Sequence, residues 1–349
     1  MGKVCLITGG AGFIGRSISG RLTSCFDRVV AIDNLHPQVH PFGQSPSMHP
    51  AVEFIAGDVV QRDMWSSILA DVSPSVIIHL AAETGTGQSL TESSRHASVN
   101  VCGTTVMMDA LTRSGKIPER IVLASSRAVY GEGAWQDTKS GSIVSPGQRS
   151  RAMLEKGIWD FPGMRPLLQV AGVTPTNPTS VYGATKLAQE HLLSAWSQAF
   201  GVELNILRFQ NVYGPGQSLK NPYTGVVSLF FTLARRMQPI SVFEDGAISR
   251  DFVFVDDVVD LLLEVAANGG GGRQPYDVGS GTSTSLLELA YLVAGCYGAP
   301  DPKITGEFRN GDVRHASCDI ARAKADYPWQ PRWTMGDGVK ALASWVDAQ

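Results

Sequence analysis

The sequence predicts a doubly wound α/β fold, with a parallel sheet covered by helices over residues 1–210 and a smaller α/β unit over 211–349. Three observations carry that expectation. Short apolar runs recur at 3–8, 28–33, 52–57, 75–81, 120–125 and 203–209, with helix-length segments between several of them. Such alternation requires crossover connections and a sheet buried on both faces. The first run leads directly into a glycine-rich turn, Gly9-Gly10-Ala11-Gly12-Phe13-Ile14-Gly15, followed by an amphipathic stretch. Finally, 43% hydrophobic and 17% charged residues in a chain of 349 make the composition of a globular protein with room for two domains.

Taken in order, each element supports the next. Glycines at 9, 12 and 15 let the backbone turn tightly after the first strand and approach a pyrophosphate at a helix N-terminus. The second strand ends at Asp33, whose carboxylate can accept from adenosine ribose hydroxyls. Asn34, Leu35 and His36 follow with no Lys or Arg. A ribose 2′-phosphate would be repelled, so the expected cofactor is NAD rather than NADP. Asp58 and Val59 close the third strand, where a carboxylate can accept from an adenine amino group beside an apolar neighbour; Asp58 reads equally well as a helix cap. His79-Leu80-Ala81-Ala82 ends the fourth strand with small residues suited to a flat ring, and a lone His there is more often a hydrogen-bonded core residue than a catalyst.

The fifth strand ends at Ser125-Ser126, and Tyr182 and Lys186 are four apart on a helix, so they share a face. An ammonium near the phenol would stabilise its phenolate, making Tyr182 a general base, and a hydroxyl at the strand end can hold a substrate oxygen beside it. Between these lies 132–176, rich in Gly and Pro and poorly periodic, which reads as a loop insertion that is a lid, a subunit contact or a flap. After 203–209 the pattern gives a helix near 224–237, strands near 240–243 and 251–255, and helices near 258–267 and 285–297. Gly269-Gly270-Gly271-Gly272 reads as a surface turn.

Other classes are excluded by what is missing. The net charge is −3 and the densest basic spot is Arg235-Arg236, so there is no stripe for nucleic-acid phosphates. No run approaches the roughly 18 apolar residues of a membrane span. The five cysteines are scattered, without metal-ligand spacing or an even count, which predicts a reducing, cytoplasmic setting.

Beyond these motifs the chain carries Asn100-Val101-Cys102-Gly103-Thr104, Val129-Tyr130-Gly131, Arg208-Phe209-Gln210-Asn211-Val212-Tyr213-Gly214-Pro215 and Arg250-Asp251-Phe252-Val253-Phe254-Val255-Asp256-Asp257. In this order they resemble the extended short-chain dehydrogenase/reductases, specifically the NAD-dependent nucleotide-sugar epimerases and dehydratases, over nearly the whole chain. The resemblance implies a Rossmann-type fold and a catalytic trio of Ser126, Tyr182 and Lys186. It adds Phe13, Ile14, Leu80, Ala81, Ala82 and Asn100 to Gly9, Gly12, Gly15, Asp33, Asn34, Asp58 and Val59 around NAD. It gives a nucleotide-sugar partner held by Asn211, Arg250 and Arg314 at the diphosphate, with Thr84, Gln88, Arg127, Gln217 and Val242 also around it. A homodimer is the usual arrangement it implies.

Two departures inform the reading. Dehydratases of this family place Asp-Glu after the catalytic hydroxyl, whereas Ser126 precedes Arg127-Ala128, so dehydration is disfavoured. Ser126 and Tyr182 also lie unusually far apart, because of the insertion. Within the family, 208–218 continued by 221–225 resembles the dTDP-L-rhamnose 4-epimerases. The expected activity is 4-epimerisation of a dTDP-sugar by transient C4 oxidation. The alternatives are a 4-keto-sugar reductase, a UDP-hexose 4-epimerase and a non-catalytic NAD-sensing scaffold.

Overall fold

The computed structural model describes residues 2–40, 47–218, 225–270 and 274–349. Asn221 to Thr224 of the run singled out above, and Gly271 and Gly272 of the glycine turn, lie outside the described residues. Seven strands form one sheet: β1 (Val4–Thr8), β2 (Arg28–Asp33), β3 (Val52–Ala56), β4 (Val76–His79), β5 (Arg120–Ser126), β6 (Glu203–Phe209) and β7 (Tyr276–Val278). Their order is β7-β6-β5-β4-β1-β2-β3, and every pairing is parallel. The order in which strands are added reverses between β1 and β4, which opens a crevice at the carboxyl ends of these strands. Register makes those ends level, since Thr8 pairs with both Ile32 and His79.

The apolar runs are continuous because both faces are covered. Cys5, Ile7, Val29, Ala31, Val76 and Ile78 enter one core cluster, while Leu6, Val30, Ile32 and Ile77 enter the other. Alternate side chains of one strand therefore pack on opposite layers. Helix α1 (Phe13–Leu22) covers one face; α2 (Arg62–Asp71) and α3 (Gly103–Ser114) cover the other, burying Trp65, Met107 and Leu111. Helix α4 (Val181–Phe200) starts where the Ser180 side chain accepts from Gly183 N–H and stops at Gly201, whose φ of 69° ends it in the left-handed region.

Two features differ from the sequence expectation. Residues 276–278, beyond the expected division at 210, return to the first sheet as its edge strand β7. The segment 132–176 is ordered: Trp135–Asp137 pairs antiparallel with Ile143–Val144 and Met164–Pro166, and a short helix spans Arg151–Glu155. Trp135 is fully buried, edge-on to Phe161 with centroids 5.0 Å apart. Its strands are two or three residues long, too short for alternation to register. The C-terminal unit pairs Asn211–Tyr213 with Ser249–Phe254, which also pairs with Ser283–Ser285 and His315–Ala316. Phe254 stacks on Trp333 at 4.1 Å in its core. Among the described residues no helix is long and apolar enough to cross a membrane.

Candidate active site

The glycine turn shows which glycines the protein needs for itself and which it holds open. A Cβ at Gly9, whose φ is 69°, would stand 2.7 Å from Ala81 N, and one at Gly15 would stand 2.5 Å from the Gly9 carbonyl oxygen. At Gly12 the nearest atom would be 3.2 Å away, and this residue lines the cleft. Gly12 also caps α1 without a side-chain hydrogen bond, and the first turn carries no acid. Unpaired N–H groups and the positive end of the helix are thus offered to an anion. Phe13, Ile14 and Gly15 line the same cleft.

Asp33 sits where the second strand places it. Its carboxylate accepts from Ala11 N–H at 3.1 Å and Leu35 N–H at 2.8 Å. Around it lie Asn34, Asp58, Val59, Leu80, Ala81 and Ala82, and Asn34 Nδ2 donates to Asp58 at 3.0 Å. Among the described residues lining this end there is no Lys or Arg, and burial lowers the pKa of nearby His40. The donors, the carboxylate and the uncapped helix fit NAD, whose pyrophosphate Gly12 would take and whose adenosine ribose Asp33 would hold. His79 is a core residue, as its surroundings suggested: Thr8 Oγ1 lies 2.7 Å from one ring nitrogen and Thr104 Oγ1 2.9 Å from the other. Burial lowers its pKa to about 3, so it stays neutral.

At the middle of the cleft, Ser126, Arg127, Tyr182 and Lys186 meet. Burial raises the pKa of the Tyr182 phenol, while a hydrogen bond with Ser126 and the charge of Arg127 lower it. Lys186 shares the face and the cleft with Tyr182, and its Nζ donates to the Ala124 carbonyl at 2.9 Å; Arg127 is a second cation whose charge acts on the phenol. Four-residue spacing fixes the face of a helix but not the acceptor that a long side chain finds. Burial lowers the pKa of Lys186 to about 7, with the Glu190 carboxylate opposing the shift.

The expected diphosphate arginines separate. Arg127 Nε donates to Asn211 Oδ1 at 2.8 Å, and burial followed by repulsion from Arg250 lowers its pKa to about 9. Arg250 donates to the carbonyls of Ser249 at 2.8 Å and Arg314 at 3.3 Å, lies 3.6 Å from Asp312, and also has a lowered pKa because of burial. Arg314 is engaged elsewhere. Its guanidinium reaches Asp160 at 3.0 Å, Glu244 at 2.9 Å and Asp245 at 2.7 and 2.8 Å, and Asp245 and Asp160 raise its pKa against burial.

Thr84, Asn211 and Gln217 line the cleft; Gln88, Asn100 and Val242 do not. Gln88 pairs with Gln38 and Glu92, and Val242 is buried in a short strand against Ile304. Asn100, in a π-helical turn, clamps both backbone groups of Glu83 and donates to Thr185 at 2.9 Å, fixing the wall rather than facing the opening. The residues that sequence reasoning missed are Glu132, Arg149 and Glu244. Arg149 bonds both acids and the carbonyls of Trp159 and Asp312, joining the 132–176 segment to the C-terminal unit. Their one signal in the sequence was charge within an otherwise aperiodic stretch.

The profile of the NAD dependent epimerase/dehydratase family matches residues 5–158 and 161–279. The chain belongs to this family. It is 54% identical over 346 residues to a dTDP-L-rhamnose 4-epimerase of Burkholderia thailandensis, covering 99% of this chain and 95% of that one. It is 32% identical over 339 residues to a UDP-glucose 4-epimerase of Mycolicibacterium smegmatis, covering 96% and 95%. A solved UDP-glucose 4-epimerase of Thermotoga maritima with UDP-glucose superposes with a TM-score of 0.80 at 26% identity, over 99% of both chains. As an epimerase/dehydratase family member the chain uses NAD, which accords with the cradle at Gly12 and Asp33.

Proposed function

We infer that this chain is a nucleotide-sugar 4-epimerase that interconverts dTDP-L-rhamnose and dTDP-6-deoxy-L-talose. The observation that carries the reading is the 54% identity, over nearly the full length of both chains, to an enzyme of that name. The site supports it. Arg127, half-buried in the cleft wall, donates to Asn211 and is repelled by the buried Arg250, an arrangement that a diphosphate would complete. The cleft, about 970 Å3, is of the size that holds an extended ligand.

When bound, NAD supplies reversible oxidation and reduction at the sugar C4. The protein's residues do the rest. Ser126 holds the C4 oxygen; Tyr182 takes the hydroxyl proton as the carbonyl forms and returns it as the opposite alcohol forms. Arg127 favours the phenolate, and Lys186 is the ammonium behind it. The diphosphate anchor keeps the nucleotide in place while the sugar turns over. Arg127-Ala128 after Ser126 supplies no acid–base pair for elimination, so the keto sugar is reduced again rather than dehydrated. Asp33 argues against a reductase fed by NADPH. The reading includes a cytoplasmic homodimer, which sedimentation of the purified protein tests.

The function is tested by incubating the purified protein, with no cofactor added, with dTDP-L-rhamnose, UDP-glucose and UDP-galactose, and identifying products by NMR. Conversion of dTDP-L-rhamnose to its C4 epimer, with slower or no turnover of the UDP-hexoses, is expected. Preference for a UDP-hexose would move the assignment to that substrate, and a requirement for added reduced cofactor would make the protein a reductase.

A further inference from the structure

Three successive turns of α4 grip three successive residues of β5. Tyr182 lines the cleft with Ser126, Lys186 Nζ donates to the Ala124 carbonyl at 2.9 Å, and Glu190 accepts from the Ser125 hydroxyl. Glu190 is not part of the cleft lining. It is buried behind the site and held by a two-pronged pair with Arg208 of β6, Nε to Oε1 at 3.0 Å and Nη2 to Oε2 at 2.7 Å. Arg208 lies over the Tyr130 ring at 4.8 Å, and the Tyr130 hydroxyl donates to Asp277 of β7 at 2.9 Å. A carboxylate so deep, tied to the strand that carries the catalytic hydroxyl and one turn beyond the catalytic lysine, needs a reason.

We propose that Glu190 is a positioning residue for the epimerase reaction: it locks the catalytic face of α4 to β5 through Ser125 and provides the negative charge that holds Lys186 as an ammonium inside the protein. The proposal rests on the assignment of Tyr182 and Lys186 as the acid–base machinery. The groups facing Lys186 are few. On its own helix they are Tyr182 and Glu190. From β4 comes His79, kept neutral by burial; from β5 come the uncharged Ser125 and Ser126; from β6 comes Arg208, beyond Glu190; and Arg127 stands across the cleft. Of these, Glu190 is the group whose charge opposes the burial of the ammonium. Removing one nearby opposite charge from a buried group shifts its titration by about 1–3 pH units.

The test follows the titration of Lys186 by NMR in the purified protein carrying 13C at lysine Cε, with the signal assigned by its loss in Lys186→Met. In Glu190→Gln the midpoint falls by at least about one pH unit, and the high-pH decline of kcat moves down with it. Glu190→Asp, which keeps the charge and shortens the reach, holds the midpoint within about half a unit while kcat falls. The double variant Glu190→Gln/Arg208→Met leaves no unpaired Arg208, so it gives a smaller shift in the same downward direction should the single variant fail to fold. An unmoved midpoint in the Gln or double variant overturns the proposal. Because the titration is read without substrate, that outcome is distinct from failure of the epimerase reading, which shows as an inactive wild type or an active Tyr182→Phe.

Discussion

Two pairs of arginines lie in the same molecule and behave in opposite ways. Arg149 and Arg314, where the 132–176 segment meets the C-terminal unit, share Glu132, Glu244, Asp245 and Asp160. Their acids hold both guanidinium pKa values above the ordinary value in spite of burial. Arg127, half-buried in the cleft wall, and Arg250, buried near it, repel each other and find mainly carbonyls, an amide and Asp312, so both pKa values fall. Composition does not distinguish the pairs; partners do. A buried charge with its counter-ions fastens one part of a fold to another, while a charge with few of them is what the proposed diphosphate ligand would complete.

The contrast is broken or sharpened by substitutions on each side, and the largest effect is expected in the chemistry of the cleft. Tyr182→Phe lowers kcat by roughly 10²- to 10⁴-fold with little change in sugar-nucleotide binding or in the urea midpoint. Near-normal turnover would identify another base. Arg314→Met leaves Glu244 with Arg149 alone and the half-exposed Asp160 and Asp245 without their guanidinium, and costs about 2–3 kcal/mol in urea unfolding; a loss below about 1 kcal/mol would mean that the network fastens nothing. Arg127→Met relieves a repulsion, so stability stays within about 1 kcal/mol, while the dTDP-sugar KM rises by at least about tenfold. If that variant instead unfolds with unchanged KM, the two pairs are of one kind.

A smaller effect separates the pairs by pH. Hydrogen bonds from His315 and Arg314 hold the Asp160 carboxyl well below the ordinary carboxylate range. A depressed folded-state pKa gives stability that is present at neutral pH and is lost as pH falls through the acid range. Asp160→Asn therefore flattens the fall in urea stability below about pH 5 and leaves the pH profile of kcat, which belongs to the cleft, in place. A changed kcat profile with an unchanged stability slope would contradict the separation.

How much of this was legible in the sequence depends on the range of each interaction. Six sheet strands were readable because both faces are buried and the runs are uninterrupted, and the first three placed Gly12, Asp33 and Asp58 correctly at the crevice. Strand β7 was not, since three residues between a turn and Gly279 carry no period. Tyr182 and Ser126 were found together because helix spacing and strand ends are local facts. The acceptor of Lys186 was not, because the Ala124 carbonyl, on the same strand as Ser126, is a backbone group that no side-chain pattern marks. Arg250 and Arg314 looked alike, each beside an acid in sequence, yet the acids that engage Arg314 come from positions 160, 244 and 245. The fate of a buried arginine is decided by such long-range partners.

The central claim, 4-epimerisation by transient oxidation at C4, is tested most directly with dTDP-L-rhamnose carrying deuterium at C4. Incubated with the purified protein and no added cofactor, it should give dTDP-6-deoxy-L-talose with the label still at C4 and no net change in reduced-nicotinamide absorbance, because only the proton handled by Tyr182 exchanges with water. Epimer formed with the C4 label lost to solvent would contradict the account, pointing to proton abstraction from carbon by a base other than those placed here.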